Sequence, residues 1–199
     1  GGVMSSIDPK TGKSWVFFGT GQYLNQDDPS NTQTQTWYGI IDGPTVSSRS
    51  ELVQRTMTKV GDDRVVTAAN TLDPAKKGWY MDLADSRERI VDVPSMLAGD
   101  LVLNTTIPDT NVCNPSGSGQ LMVVSAYVGG RLQNNSIFFD TNGDGEFNDK
   151  DKVKLPSGDL VAPSSSPILD GNSEPSFTTG GGGGSKPKEI VALVNCGNA

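Results

Sequence analysis

The stretch "SWVFFGTGQYLNQDDPSNTQTQTWYGIID", Ser14 to Asp42, sets the fold class. It opens with "SWVFFGTG" (14–21) and closes with "TWYGIID" (36–42). Both runs are rich in valine, isoleucine and aromatic side chains, which suit a pleated, half-buried surface. Between them "QDDPSN" (26–31) supplies turn chemistry. Gly19 and Gly21 follow the first run, but a dinucleotide-binding loop needs a third glycine and a helix. A strand ending in a tight turn is the expected structure.

The same grammar repeats outward along the chain. Further β-prone runs are "DRVVTA" (63–68), "RERIVDV" (87–93), "DLVLNTT" (100–106), "QLMVVSAYV" (120–128), "NSIFFD" (135–140) and "EIVALVN" (189–195). Turn signals separate them, among them "NPSGSG", "LPSGD" and "LDGNSEP". Only "SELVQRTMTKV" (50–60) could be helical, and its β-branched residues argue against that. The expectation is an all-β chain of antiparallel sheets, with strand spacing suited to a sandwich or to propeller blades. Trp15, Trp37, Trp79 and Tyr80 are expected in the core or between blades.

Composition agrees. In 199 residues, 24 glycines, 12 prolines and 34% hydrophobic residues favour turns and short strands over long helices. The net charge of −7 argues against nucleic acid and anionic membranes as partners. It suits cation binding or an extracellular setting. No apolar run is long enough to span a membrane, and "GGVMSSIDPK" has no signal-peptide pattern. A secreted protein would therefore be represented here by its mature form or by a fragment.

"FFDTNGDGEFNDKDKV" (138–153) carries the chemistry. On a twelve-position calcium loop, Asp140 takes position 1, Asn142 position 3 and Asp144 position 5. Gly145 falls at position 6, where the loop turns sharply. Glu146 at position 7 offers its main-chain carbonyl, Asn148 stands at position 9 and Asp151 closes at position 12. Phe147 would anchor the loop to the core. Five acidic residues against Lys150 would repel one another without a cation, so Ca²⁺ is the expected cofactor. Two features depart from a paired EF-hand: Asp replaces Glu at position 12, and the flanks "QNNSIFF" and "KVKLPSG" read as strand and turn. An acidic Asx-rich turn without metal is the alternative. The other acidic clusters, "QDDPSN", "GDDR" (61–64) and "DLADSRER" (82–89), are expected to be solvated turns.

Cys113 and Cys196 lie in loop-like contexts, and the chain has no histidine, so they cannot form a zinc site. A disulfide is the favoured reading, worth roughly 4–5 kcal/mol in the chain-entropy model and implying an oxidising compartment. Two unrelated buried thiols are the alternative. "TTGGGGGSKPK" (178–188) reads as a flexible linker, native or engineered. The expected organisation is a β body over 1–178, a glycine-rich linker over 179–185 and a strand segment over 186–199 that docks on a sheet. The absence of histidine removes a Ser-His-Asp triad, a Cys-His pair and histidine metal sites. A two-carboxylate glycosidase is formally possible, but no pair stands out. A non-enzymatic role is expected.

Three colinear stretches, from about Ser14 to Gly171, resemble the C-terminal domain of the PilC/PilY family of type IV pilus tip-associated proteins. They are "VFFGTGQYLNQDD" with "TQTWYGIID", the stretch "GWYMDLADSRERIVDVPSMLAGDLVLNTTIPDTNVCNPSGSGQLMVVSA", and "GGRLQNNSIFFDTNGDGEFNDKD". The resemblance implies a modified β-propeller, of which this chain is too short to be the whole. It implies a place at the bacterial surface, at or near the pilus tip, reached by export through the periplasm. Minor pilins and host-cell or abiotic surfaces are the implied partners. Pilus biogenesis, a balance of extension and retraction tuned by calcium, and adhesion are the implied functions. There is no Arg-Gly-Asp tripeptide. Two other readings are a free-standing calcium-stabilised surface or scaffold module, which should show paired loops and helices, and a quinoprotein-like propeller fragment, which needs a cofactor pocket.

Overall fold

The computed structural model describes residues 2–25, 27–109 and 117–168. The expected Cys113–Cys196 bridge, the linker 179–185 and the strand segment 186–199 lie outside the described residues.

In chain order the strands are β1 (Val3–Ile7), β2 (Ser14–Gly19), β3 (Thr36–Ile41), β4 (Val53–Arg55), β5 (Met57–Val60), β6 (Asp63–Val66) and β7 (Gly78–Asp82). They continue with β8 (Ser95–Leu97), β9 (Asp100–Asn104), β10 (Ile107–Pro108), β11 (Gly117–Ser125), β12 (Val153–Lys154), β13 (Leu160–Val161) and β14 (Ser165–Ile168). Helical structure among the described residues is limited to single 3-10 turns. The first sheet runs β1-β2-β3-β7-β4. The second runs β5-β6-β14-β11-β9-β8, with β10 on β11, and β12 and β13 form a separate hairpin. Among the described residues neither sheet closes on itself.

Among the described residues all strand pairings are antiparallel except one: β4 lies parallel to β7, with Val53 opposite Trp79. The expected antiparallel sheets are thus present, with one parallel pair within the first. The cause is the crossing at Thr56, where "SELVQRTMTKV" leaves the first sheet as β4 and enters the second as β5. Only Arg49–Glu51 of its neighbourhood is helical, a single turn closed by a capping box between Ser48 and Glu51.

The two sheets share one core. Trp15, Phe17, Trp37, Trp79 and Met81 of the first pack with Val66, Leu101, Leu103, Met122 and Val124 of the second. Burying each such aliphatic or Phe side chain is worth about 1.5–3 kcal/mol. Trp79 is the hub. Its ring meets Trp37 edge-on at 5.6 Å, and its indole N–H donates to the Ala126 carbonyl at 2.8 Å. Gly129 (φ +69°) makes room for it, since a Cβ there would lie 2.3 Å from the ring. Trp15, Trp37 and Trp79 are thus core residues, as expected. Tyr80 instead lies on the other face of the first sheet, beneath the Arg49 guanidinium at 4.9 Å.

The second sheet is covered on both faces. Met122 and Val124 face the first sheet, while Leu121 and Val123 pack against Phe138 and Phe139. This explains why "LMVV" is an unbroken apolar run.

Among the described residues, two expected strands are reduced to single bridge residues. "NSIFFD" has a bridge residue at Phe139 alone, and Phe138 and Phe139 share one cluster with rings 5.1 Å apart, where the alternating faces of a regular strand would separate them. Asn134 and Asn135, at φ 58° and 53°, break the backbone just before it. "RERIVDV" contributes one isolated bridge, Arg89 to Thr106, because Arg87 is at φ 66° and the Arg89 side chain turns inward. Arg89 is buried and donates to the carbonyls of Gln22, Asp28 and Asn31.

Candidate metal centre

The acidic turn starts where the chain leaves the second sheet's outer face. Phe138 and Phe139 are buried against Leu121 and Val123 and fix its entry. Phe147, the expected anchor, is only half-buried.

The backbone of the turn is then shaped by its own side chains. Asp140 accepts the N–H groups of Gly143 at 2.7 Å and Gly145 at 2.9 Å, one on each carboxylate oxygen. Asn142 accepts the N–H of Asp144, and Asp144 that of Glu146, each at 2.8 Å. Asn148 accepts the N–H of Lys150 at 2.9 Å and donates through its amide to Glu146 at 3.0 Å. These are successive Asx turns. Gly143 and Gly145 sit at φ 73° and 81°, where glycine has no steric cost. Gly145 is the residue assigned to the sharp bend, and the bend is there.

Asp151 closes the turn. It is fully buried, and its two oxygens accept the N–H of Thr141 and the N–H of Asn148, each at 2.9 Å. Thr141 Oγ1 donates to the Asp151 carbonyl at 3.2 Å. Positions 2 and 12 of the twelve-residue stretch are thereby held together. The exit is β12, which pairs with β13 as the reading of "KVKLPSG" as strand and turn requires.

Asp140, Asn142, Asp144, Glu146, Asn148 and Asp151 therefore belong to one structured turn. Its donors are all oxygens, the chemistry that Ca²⁺ accepts. Yet among the described residues no three acidic or cysteine side chains are gathered closely enough to hold a metal. The turn's backbone is built while its carboxylates stand apart. Lys150 approaches Asp144 to 3.7 Å. The shorter reach of Asp at position 12 is used here to grip backbone N–H groups.

The other acidic clusters are not simple solvated turns, contrary to expectation. "GDDR" and "DLADSRER" supply a buried ion network: Arg64 donates to Glu88 at 2.6 Å and to Asp85 at 2.6 Å, and Thr105 donates to Glu88 at 2.6 Å. Arg64 and Glu88 are each 1% exposed. Lys59 reaches Asp85 as well. In "QDDPSN", Asp28 is buried and accepts the N–H groups of Leu24 and Asn25 and the Gln22 amide. These bonds, the one from Asn25 foremost, hold its carboxyl below the usual range.

Two stacked sheets carrying an Asx-built turn on an outer face define the class: a β module whose distinctive chemistry sits in one acidic loop. Its kinship is narrower. A protein named type IV pilus biogenesis factor PilY1 homolog, from Xylella fastidiosa (strain Temecula1), is 38% identical over 71% of this chain and 12% of its own length. A second PilY1 homolog from the same strain is 29% identical over 65% of this chain and 10% of its own length. The crystal structure of the Pseudomonas aeruginosa PilY1 C-terminal domain superposes with a TM-score of 0.66 at 21% identity, covering 83% of this chain and 38% of that one. No family model matches. The chain belongs to the PilY1 family and has the fold of part of that family's C-terminal domain. It spans about a tenth of the length of the curated relatives it matches.

Proposed function

We propose that this chain is a non-catalytic, calcium-binding part of a type IV pilus biogenesis factor, and that calcium acts by stiffening the turn at Asp140–Asp151. Its relatives are named as pilus biogenesis factors. The observation that carries the calcium reading is the turn itself. Six oxygen-bearing side chains at the required spacing fold into one bend, closed by Asp151 on Thr141. Asp140, Asn142, Asp144, the Glu146 carbonyl, Asn148 and Asp151 would hold the ion. A bound ion stabilises the folded form by mass action, and that is how it would set the shape of the second sheet's outer layer. The two stacked sheets are read as neighbouring parts of a modified propeller completed by other residues of a longer protein.

The proposed setting is the bacterial surface at the pilus tip, reached through the periplasm, with minor pilins and a host-cell or abiotic surface as proposed partners; the relatives' naming as pilus biogenesis factors supports it. A Cys113–Cys196 disulfide belongs to the same reading. No helix of the described residues is long and apolar enough to cross a membrane.

The test is genetic. Asp140→Asn with Asp144→Asn, introduced into the whole protein in the bacterium that makes it, should leave the protein made and exported but alter surface piliation, twitching or adhesion. Unchanged piliation, motility and adhesion at equal protein level would mean that the turn serves the fold alone.

A further inference from the structure

Only one asparagine of the chain is followed by glycine, and it stands in the acidic turn: Asn142, before Gly143. An asparagine carboxamide is an electrophile within reach of the next residue's backbone nitrogen. Where that residue is glycine, no Cβ hinders the approach. Asn142 and Gly143 are both exposed, and a Cβ built on Gly143 would meet nothing within 4 Å, so water reaches the pair.

The turn nevertheless holds the two reacting groups apart. The Gly143 nitrogen is the nucleophile once its proton is lost, and its N–H donates to the Asp140 carboxylate at 2.7 Å. The Asn142 carboxamide oxygen is turned onward along the chain and accepts the N–H of Asp144 at 2.8 Å. Attack requires both bonds to break and the side chain to swing back over its own peptide unit. Charge acts in the same direction. Taking the proton from Gly143 would set a negative nitrogen against the Asp140 carboxylate, and like charges at that distance repel.

We propose that Asn142 is a site of spontaneous deamidation whose rate is set by Asp140. The Gly143 nitrogen loses its proton to water and bonds to Asn142 Cγ. The bond from Cγ to the side-chain nitrogen breaks, and ammonia leaves with a proton returned from water. Water then opens the cyclic imide. Cleavage of the new Cγ–N bond leaves aspartate at position 142, which adds a carboxylate to the turn. Cleavage of the original peptide bond leaves isoaspartate, which routes the main chain through Cγ and lengthens it by one methylene. That product puts Asp140 out of step with Gly143 and Gly145, whose N–H groups it now spans. The site rests on the turn's own hydrogen bonds, so it stands or falls apart from calcium binding.

Ageing the 199-residue chain at neutral pH with chelator, followed by tryptic mapping, tests it. The peptide Leu132–Lys150 holds Asn134, Asn135, Asn142 and Asn148, so fragment masses locate the exchange of –NH₂ for –OH and three asparagines serve as controls. In urea, Asn142 should deamidate ahead of the other three. In the folded chain it should do so more slowly, by about threefold or more, the worth of one hydrogen bond. Asp140→Ala should restore about threefold to tenfold of the rate. Asp140→Asn keeps an acceptor and drops the charge, and should fall between the alanine variant and the parent. Circular dichroism checks the fold; if Asp140→Ala does not fold, Asp140→Asn and the ratio of folded to urea rates carry the test. Deamidation of Asn142 as fast in the folded parent as in urea, or at one rate in the parent and the folded variants, would overturn the proposal. So would an Asn142 that lags the control asparagines in urea.

Discussion

The carboxylate of Asp151, fully buried, accepts the backbone N–H of Thr141 at 2.9 Å across ten residues of chain. That bond closes the acidic turn through the protein's own groups. It separates two duties that one sequence pattern merges: holding the turn and holding an ion.

Asp151→Ala should therefore destabilise the calcium-free protein. It orphans the N–H groups of Thr141 and Asn148, at about 1–3 kcal/mol in total, because Thr141 is exposed and water can reach its N–H. The neighbouring Asp149 side chain is 89% exposed, so Asp149→Ala should stay within about 0.5 kcal/mol. Thermal unfolding with chelator present compares the two. Equal midpoints would mean that the buried carboxylate does not staple the turn.

The Arg64–Glu88 pair makes a second prediction. Glu88→Ala leaves a buried guanidinium with Asp85 alone and should cost about 3–5 kcal/mol. Arg64→Met with Glu88→Leu should cost less than Glu88→Ala, since no buried charge is stranded. Urea denaturation of the three proteins orders them. A double variant less stable than the single one would show that the network contributes beyond charge compensation.

Asp100 gives the pH dependence. Burial raises its folded carboxyl from 3.8 to about 6. Between those values the folded protein holds a proton that the unfolded chain has released, so stability from this group falls as pH rises through about 4 to 6. Asp63, raised to about 6 by burial and then by Asp62, acts in the same sense. Asp28 acts in the opposite sense: its lowered carboxyl stabilises above the unfolded value, and that contribution is lost as pH falls through the folded one. Asp100→Asn should thus gain stability over the parent on going from pH 4 to pH 7. A constant difference in unfolding midpoint across that range would show that Asp100 titrates normally.

How much of this was legible in the sequence differs by feature. β2, β3, β6 and β9 lie within the runs that alternation and β-branching mark out, and the three tryptophans are in the core. The turn at Asp140–Asp151 was legible because Asx residues act locally, each on an N–H two to five residues away. What escaped was set by distant partners. Phe138 and Phe139 read as strand but pair with each other against Leu121 and Val123, a surface that the local pattern cannot reveal. "GDDR" and "DLADSRER" read as solvated, yet meet across 24 residues as Arg64 and Glu88. The parallel β4–β7 pair depends on a crossing at Thr56 that no turn residue announces.

The central claim is that the acidic turn takes up calcium, and isothermal titration of Ca²⁺ into the dialysed chain tests it most directly. The account predicts one site with a dissociation constant on the order of 10⁻⁶–10⁻³ M. Asp144→Ala removes the ligand at position 5 without touching the Asp151–Thr141 closure, and should give no calcium heat while keeping the parent's fold. Absence of binding to the parent, or full-strength binding by Asp144→Ala, would contradict the account.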